Sequence, residues 1–124
     1  MIQARHARWA EKIFTVYIDR LLRRHFYSIT LLGAVPDYDS RHPLLILPNH
    51  STWWDGFFIH LLNRKLFRRS LYLLMLEEQL RKYSFFSRLG AYSIGDSPRS
   101  IAETLRYTVD ILQNTASPLL CIFP

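Results

Sequence analysis

Apolar and polar positions along the chain alternate between two periods. Between residues 5 and 26, Trp9, Ile13, Val16, Tyr17 and Leu21 recur at helical spacing, and Phe14, Ile18, Leu22 and Phe26 widen that stripe. Arg8, Lys12, Asp19 and Arg23 fall on the other side. The pattern predicts an amphipathic helix with a broad apolar face and a mostly cationic one. That suits a helix lying in a membrane interface, and equally a terminal helix covering a core. The run "SITLLGAV" (28–35) predicts a short strand, followed by a turn at Pro36 to Asp39. "PLLILP" (43–48) is a continuous apolar run between prolines and predicts a strand buried on both faces.

Residues 53–67 return to helical spacing through Phe57, Phe58, Leu61, Leu62 and Leu66. "SLYLLML" (70–76) predicts a strand, 77–88 a short amphipathic helix and "GAYSI" (90–94) a further strand. Residues 98–113 predict a helix with Ser97 as N-cap and Pro98 in its first turn. "PLLCIF" (118–123) predicts a last strand. Strand and helix alternate, so the expected fold class is α/β: a largely parallel central sheet flanked by helices, with an N-terminal amphipathic helix. The division read from the pattern is a membrane-interface helix at 1–27 and the body of the domain at 28–124.

"PLLILP" and "PLLCIFP" are near copies. The first runs into Asn49 and His50, whereas the second ends the chain at Pro124. This leads to the expectation of an incomplete domain, cut where a second functional loop begins, whose final strand lacks neighbours and leaves an exposed apolar edge.

At 124 residues there is room for one core, and 49% apolar content argues against disorder. The net charge of +6, carried mostly by arginine, favours an anionic partner: a phosphate-bearing substrate, acidic lipid or nucleic acid. A lone cysteine, Cys121, excludes a disulfide framework and a cysteine-based zinc site, reads as a small core residue and makes a reducing, intracellular setting the default. No uncharged apolar run reaches the ~18 to 20 residues of a membrane-spanning helix, and charges interrupt the N-terminus too often for a signal peptide. His6, His25, His42 and His60 show no metal-ligand spacing and read as surface or core residues. "RKLFRR" (64–69) reads as a solvated helix end where positive charge is favoured, with binding of anionic lipid headgroups or nucleic acid as the alternative.

The chemistry concentrates in "NHSTWWD" (49–55), at the carboxyl end of a predicted strand, where sites of parallel sheets gather. One reading is structural: Thr52 and Asp55 fit a capping box. The other is catalytic. His50 precedes the helix and Asp55 lies in its first turn, so the connection can fold the carboxylate back onto one imidazole nitrogen and leave the other as a general base. No Ser or Cys has the setting of a nucleophile, so the histidine would activate a substrate hydroxyl for direct attack.

"NHSTWWD", between an apolar strand and an apolar helix, resembles the first motif of the glycerolipid acyltransferases, the 1-acylglycerol-3-phosphate and lysophospholipid acyltransferases. "FFSRLGAYSI" (85–94) resembles their second motif through Gly90 and Tyr92. The arginine of that motif is expected near 95 or 96, where Gly95 and Asp96 stand, and Arg99 is the nearest arginine. "LLCIFP" resembles the strand leading into the third motif, of which only Phe123 and Pro124 are present. The resemblance, running from about residue 28 to the end, implies an O-acyltransferase of phospholipid biosynthesis. His50 and Asp55 would be catalytic, and Asn49, Gly90 and Arg99 would serve the acceptor and its phosphate. It implies no metal or prosthetic group; acyl-coenzyme A or acyl carrier protein would be co-substrate. The expected partners are a lysophospholipid acceptor and an anionic membrane surface rather than nucleic acid, and the expected location is peripheral, on the cytoplasmic face. A truncated or degenerate relative that binds membranes without catalysis is the alternative from another class.

Overall fold

The structure, a computed structural model, describes residues 1–35, 39 and 41–124. The turn expected at Pro36 to Asp39 lies, apart from Asp39, outside the described residues. Among those residues the elements follow in the order α1 (Arg8–His25), β1 (Leu44–Ile46), α2 (Asp55–Leu62), β2 (Ser70–Leu76), α3 (Glu77–Lys82), β3 (Ala91–Ile94), α4 (Pro98–Asn114) and β4 (Pro118–Cys121). A π-helical turn, Asn63–Phe67, extends α2, and a 3-10 segment, Ser84–Leu89, follows α3. The four strands form one parallel sheet in the order β1-β4-β2-β3. The α/β class and the parallel sheet agree with the sequence pattern.

The two proline-bounded runs lie side by side. Leu44, Leu45 and Ile46 pair with Leu119, Leu120 and Cys121. The ladder continues when Ile122 N donates to Ile46 O at 3.0 Å. The placement corrects two expectations. β4 does not lack neighbours: it sits between β1 and β2 and is buried along its length. The inner place instead leaves β1 at the edge, so "PLLILP" is not buried on both faces and Leu45 and Leu47 are exposed. Both runs are equally apolar. Which one is covered depends on what pairs with its second edge.

The predicted strand at 28–35 is absent; these residues follow an irregular path. Gly33 turns into the left-handed region at φ 97°, which ends an extended run. Among the described residues no ladder partner holds the segment, and strand propensity without a pleated neighbour decides little. Tyr27, Ile29, Leu31, Leu32 and Val35 are exposed in consequence.

The helix expected over 77–88 breaks at Tyr83. The carbonyls of Ser87 and Arg88 accept from the amides of Arg5 and Ala7, at 2.7 and 3.0 Å, which ties the N-terminal segment to the end of the 3-10 turn. That segment also lines the free edge of β3: Ser93 N donates to Ile2 O at 3.0 Å and Ile2 N donates to Ser93 Oγ at 2.7 Å. An otherwise open sheet edge is thereby covered. At α4, Ser97 caps as expected, its Oγ accepting from Ser100 N at 3.1 Å.

Two apolar clusters hold the layers together. In the first, Phe14, Ile18 and Leu22 of α1 pack on Phe57, Phe58 and Leu61 of α2 and on Phe86 and Leu89. In the second, Tyr92 and Leu120 of the sheet pack on Ile111 and Tyr107 of α4. The broad apolar face of α1 is therefore divided. Its Phe14-Ile18-Leu22 half faces the core, while Trp9, Ile13, Val16 and Tyr17 remain more than half exposed. No helix among the described residues is long and apolar enough to cross a membrane.

Candidate active site

β1 delivers the chain through Leu47 and Pro48 to Asn49 and His50, beyond the carboxyl end of the sheet. Asp55 is the first residue of α2 and folds the intervening loop onto itself. Its Oδ2 accepts from Ser51 N at 2.7 Å and Thr52 N at 3.0 Å, and lies 3.1 Å from His50 Nδ1. Thr52 Oγ1 donates to Asp55 Oδ1 at 3.2 Å. Half of a capping box is thus formed, with the carboxylate reaching back to the Thr52 amide. The other half is replaced, because Asp55 N donates to the Thr52 carbonyl. Capping and orienting the histidine are done by one side chain.

The same contacts hold the Asp55 carboxyl below its ordinary range. The Thr52 amide contributes most, and the Ser51 amide, Thr52 hydroxyl and His50 add to it against the opposing effect of burial. Asp55 is therefore ionised at neutral pH and only accepts, so His50 Nδ1 must carry a proton. In the neutral imidazole this leaves Nε2 with a free lone pair, the form of a general base. The His50 side chain is half exposed while that of Asp55 is only 15% exposed: the base faces outward and its anchor is covered.

Aromatic rings frame the pair. The Phe123 ring lies 4.6 Å from the His50 ring at 34°. The contact follows from the register of β1 and β4, which brings both proline runs out at the same end. Phe123 has no polar signal in sequence, but the duplication of the two runs contained the clue. Trp53 and Trp54 stack at 4.3 Å. Trp54 meets Phe26 edge-on at 5.0 Å, tying the end of α1 to the loop, while Trp53 stays exposed.

Of the other sequence candidates, Asn49 adjoins the pair while Gly90 and Arg99 stand apart. Asn49 is exposed, adjoining His50 in the loop. Arg99, in the first turn of α4, is also at the carboxyl end of the sheet, with its side chain 91% exposed and its Nε 3.2 Å from Glu103 Oε1. It follows β3 whereas His50 follows β1, so three strand spacings, roughly 14 Å, separate the two across the sheet. Gly90 is not brought near His50. It sits at the amino end of β3 with φ 105°, where a Cβ would lie 1.9 Å from the Leu71 carbonyl oxygen. Its visible role is close approach of backbones.

Among the described residues no group of three or more His, Cys, Asp or Glu side chains is placed to hold a metal. His6 Nε2 donates to Leu71 O at 2.7 Å, and His60 is half-buried against Phe14, its Nε2 3.3 Å from Thr15 Oγ1. Cys121 is buried and its thiol is pushed up to about 12 by desolvation. It is a core residue and not a nucleophile.

An open parallel sheet with a carboxylate-supported histidine beyond a strand end is an arrangement chemically able to accept and return a proton. The chain belongs to the acyltransferase family: the family model described as Acyltransferase matches residues 14–124, from within α1 through the whole sheet and the His50–Asp55 loop. No curated protein and no solved structure matches the chain. The protein is an acyltransferase by family.

Proposed function

We propose that this acyltransferase moves a fatty acyl group from acyl-coenzyme A or acyl carrier protein to a hydroxyl of a lysophospholipid such as 1-acylglycerol-3-phosphate, in phospholipid biosynthesis. The observation that carries this reading is the 3.1 Å contact between His50 Nδ1 and an ionised Asp55 on a half-exposed ring. Nε2 takes the proton of the acceptor hydroxyl as its oxygen attacks the thioester carbonyl. Asp55 stabilises the imidazolium so formed. Collapse of the tetrahedral adduct breaks the carbon–sulfur bond, and the departing thiolate takes the proton back from Nε2. The Ser51 and Thr52 amides are committed to Asp55, so the oxyanion must find its donors elsewhere. Asn49 shapes the loop at the acceptor, Arg99 meets the acceptor's phosphate from the same end of the sheet, and Gly90 supports the strand that leads toward Arg99. No metal or prosthetic group takes part.

On this reading the protein works at the cytoplasmic face of a membrane. The exposed Trp9, Ile13, Val16 and Tyr17 stripe, flanked by Lys12, Arg20 and Arg23, supports that location. The same stripe favours the second reading, a relative that binds membranes without catalysis. An assay of acyl transfer from acyl-coenzyme A to 1-acylglycerol-3-phosphate separates them. Transfer that falls by ~10²- to 10⁴-fold in His50→Ala supports the enzyme reading. Vesicle binding without transfer supports the other, and a folded His50→Ala with full transfer overturns the mechanism.

A further inference from the structure

A polar concavity lies at the opposite end of the sheet from His50. It has a volume of about 630 Å³ and opens where Ser70 begins β2 and Ser117 precedes β4. Small-molecule sites span roughly 300 to 1,000 Å³. β2 is seven residues long, so roughly 20 Å of sheet separates this cleft from the catalytic loop. A group bound in it does not touch His50.

Four arginines line the cleft, Arg8, Arg64, Arg68 and Arg69, against one lining carboxylate, Glu11. Arg64 and Arg69 are not part of a freely solvated helix end. Arg64 forms a two-point pair with Asp19, at 2.9 and 2.5 Å. Its Nε is buried with no acceptor among the described residues. Arg69 donates to the carbonyls of His42 and Asp39, neutral acceptors that leave its charge uncompensated. Arg8 and Arg68 make no ion pair among the described residues. The positive field shows in His60, also on the cleft wall, whose proton affinity is lowered by burial and by Arg64.

The cleft is also preorganised. Arg68 and Ser117, the two non-glycine described residues with left-handed backbone (φ 52° and 47°), both stand on its wall. Such conformations persist only where neighbours enforce them. Asn63 does so for the Arg68 turn: its O accepts from Arg68 N at 2.6 Å, its Oδ1 from Arg69 N at 3.0 Å, and its Nδ2 donates to Arg69 O at 2.8 Å. The guanidinium groups of Arg64 and Arg69 are held by their bonds to Asp19 and to the His42 and Asp39 carbonyls, and the charges of Arg8 and Arg68, unpaired among the described residues, stand beside them, a combination that suits phosphate oxygens.

We infer that this cleft binds the phosphate of a soluble ligand, at a site distinct from the acyl-transfer centre. A soluble ligand is favoured over a lipid headgroup by the orientation of α1. Its cleft-lining positions, Arg8, Glu11 and Thr15, lie on a different flank from the exposed apolar stripe. At about 100° per residue the two flanks are more than a quarter-turn apart. A membrane held by the stripe leaves the cleft opening away from it.

The test is titration of the chain with inorganic pyrophosphate at low salt, by calorimetry. Saturable binding that weakens with added salt is expected. Arg8→Gln and Arg68→Gln should each weaken it about tenfold, the scale of one charge-assisted hydrogen bond. Arg106→Gln, which removes the same charge from the exposed face of α4, should leave it unchanged. Thermal melts of each variant establish that the fold is retained, and Arg8→Gln carries the test if Arg68→Gln does not fold. Absence of saturable binding, or an equal loss in Arg106→Gln, overturns the site. Vesicles containing phosphatidic acid that displace pyrophosphate from the wild type, but fail to bind Arg68→Gln, overturn the soluble ligand in favour of a headgroup.

Discussion

Asp55 Oδ2 stands within hydrogen-bonding distance of the His50 ring and of two backbone amides at once, 3.1 Å from Nδ1 and 2.7 and 3.0 Å from the nitrogens of Ser51 and Thr52. One oxygen therefore holds both the loop and the base. Asp55→Asn keeps an acceptor for the amides and removes the charge that supports an imidazolium. Thermal stability should change little while acyl transfer drops sharply. Asp55→Ala removes both roles and should also cost about 1 kcal/mol of stability. An Asp55→Asn variant with undiminished transfer would reduce Asp55 to a cap.

The exposed half of α1 separates membrane binding from folding. Ile13 and Tyr17 are both more than half exposed, whereas Phe14 and Ile18 are buried. Ile13→Glu with Tyr17→Glu should weaken sedimentation with anionic vesicles and leave the melting temperature nearly unchanged. Ile18→Ala should do the reverse, costing about 2 to 4 kcal/mol through lost burial and a residual cavity. Undiminished vesicle binding by the double Glu variant would remove the stripe from the membrane.

Two groups set opposite ends of an acid profile. His60 has its proton affinity lowered from 6.5 by burial and by Arg64. Between its depressed folded value and 6.5, the unfolded chain takes up a proton that the folded chain refuses. Stability is fully present above that window and falls as pH drops through it. Asp19 is lowered mainly by its hydrogen bond to Arg64. Its contribution is present above the ordinary aspartate value of about 3.9 and is lost as pH falls through the lower folded value. Denaturant melts from pH 8 to pH 3 should show both declines, and His60→Asn should flatten the first. An unflattened profile in that variant would assign the decline to another group.

Gly90→Ala should be severe. The left-handed backbone at φ 105° is unfavourable for alanine, and the new Cβ meets the Leu71 carbonyl oxygen where β3 begins beside β2. A loss exceeding about 2 kcal/mol is expected in urea unfolding. A near-neutral change would mean that β2 and β3 separate more easily than their pairing suggests.

Cys121 offers a clean probe of the sheet. Burial pushes its thiol up to about 12, so the native chain should resist thiol reagents at pH 8. Labelling should appear in step with global unfolding of β4. Fast labelling of folded protein would show that β4 opens locally.

Much of this molecule is local and was legible as such. Strand β2 and helix α4 follow their apolar periods to within a residue, and Ser97 caps where its position before Pro98 indicates. The His50–Asp55 pair was legible too, because five residues of chain ending in a helix start allow few ways to place a carboxylate. Other features carry no local signal. "PLLILP" and "PLLCIFP" are indistinguishable by hydropathy, and only the strand order makes one an edge and the other the centre. "SITLLGAV" looks like a strand and is not, because a strand needs a partner that the run does not encode. The apolar face of α1 is visible in the pattern, but α2 and the Ser84–Leu89 segment decide which half is buried. The arginine cleft joins residues 8, 64, 68 and 69 with 117, distant in sequence and neighbours only once the amino ends of β2 and β4 are aligned. Periodicity reports how apolar a face is; what covers that face is settled by contacts between distant segments, whose free energy no local window contains.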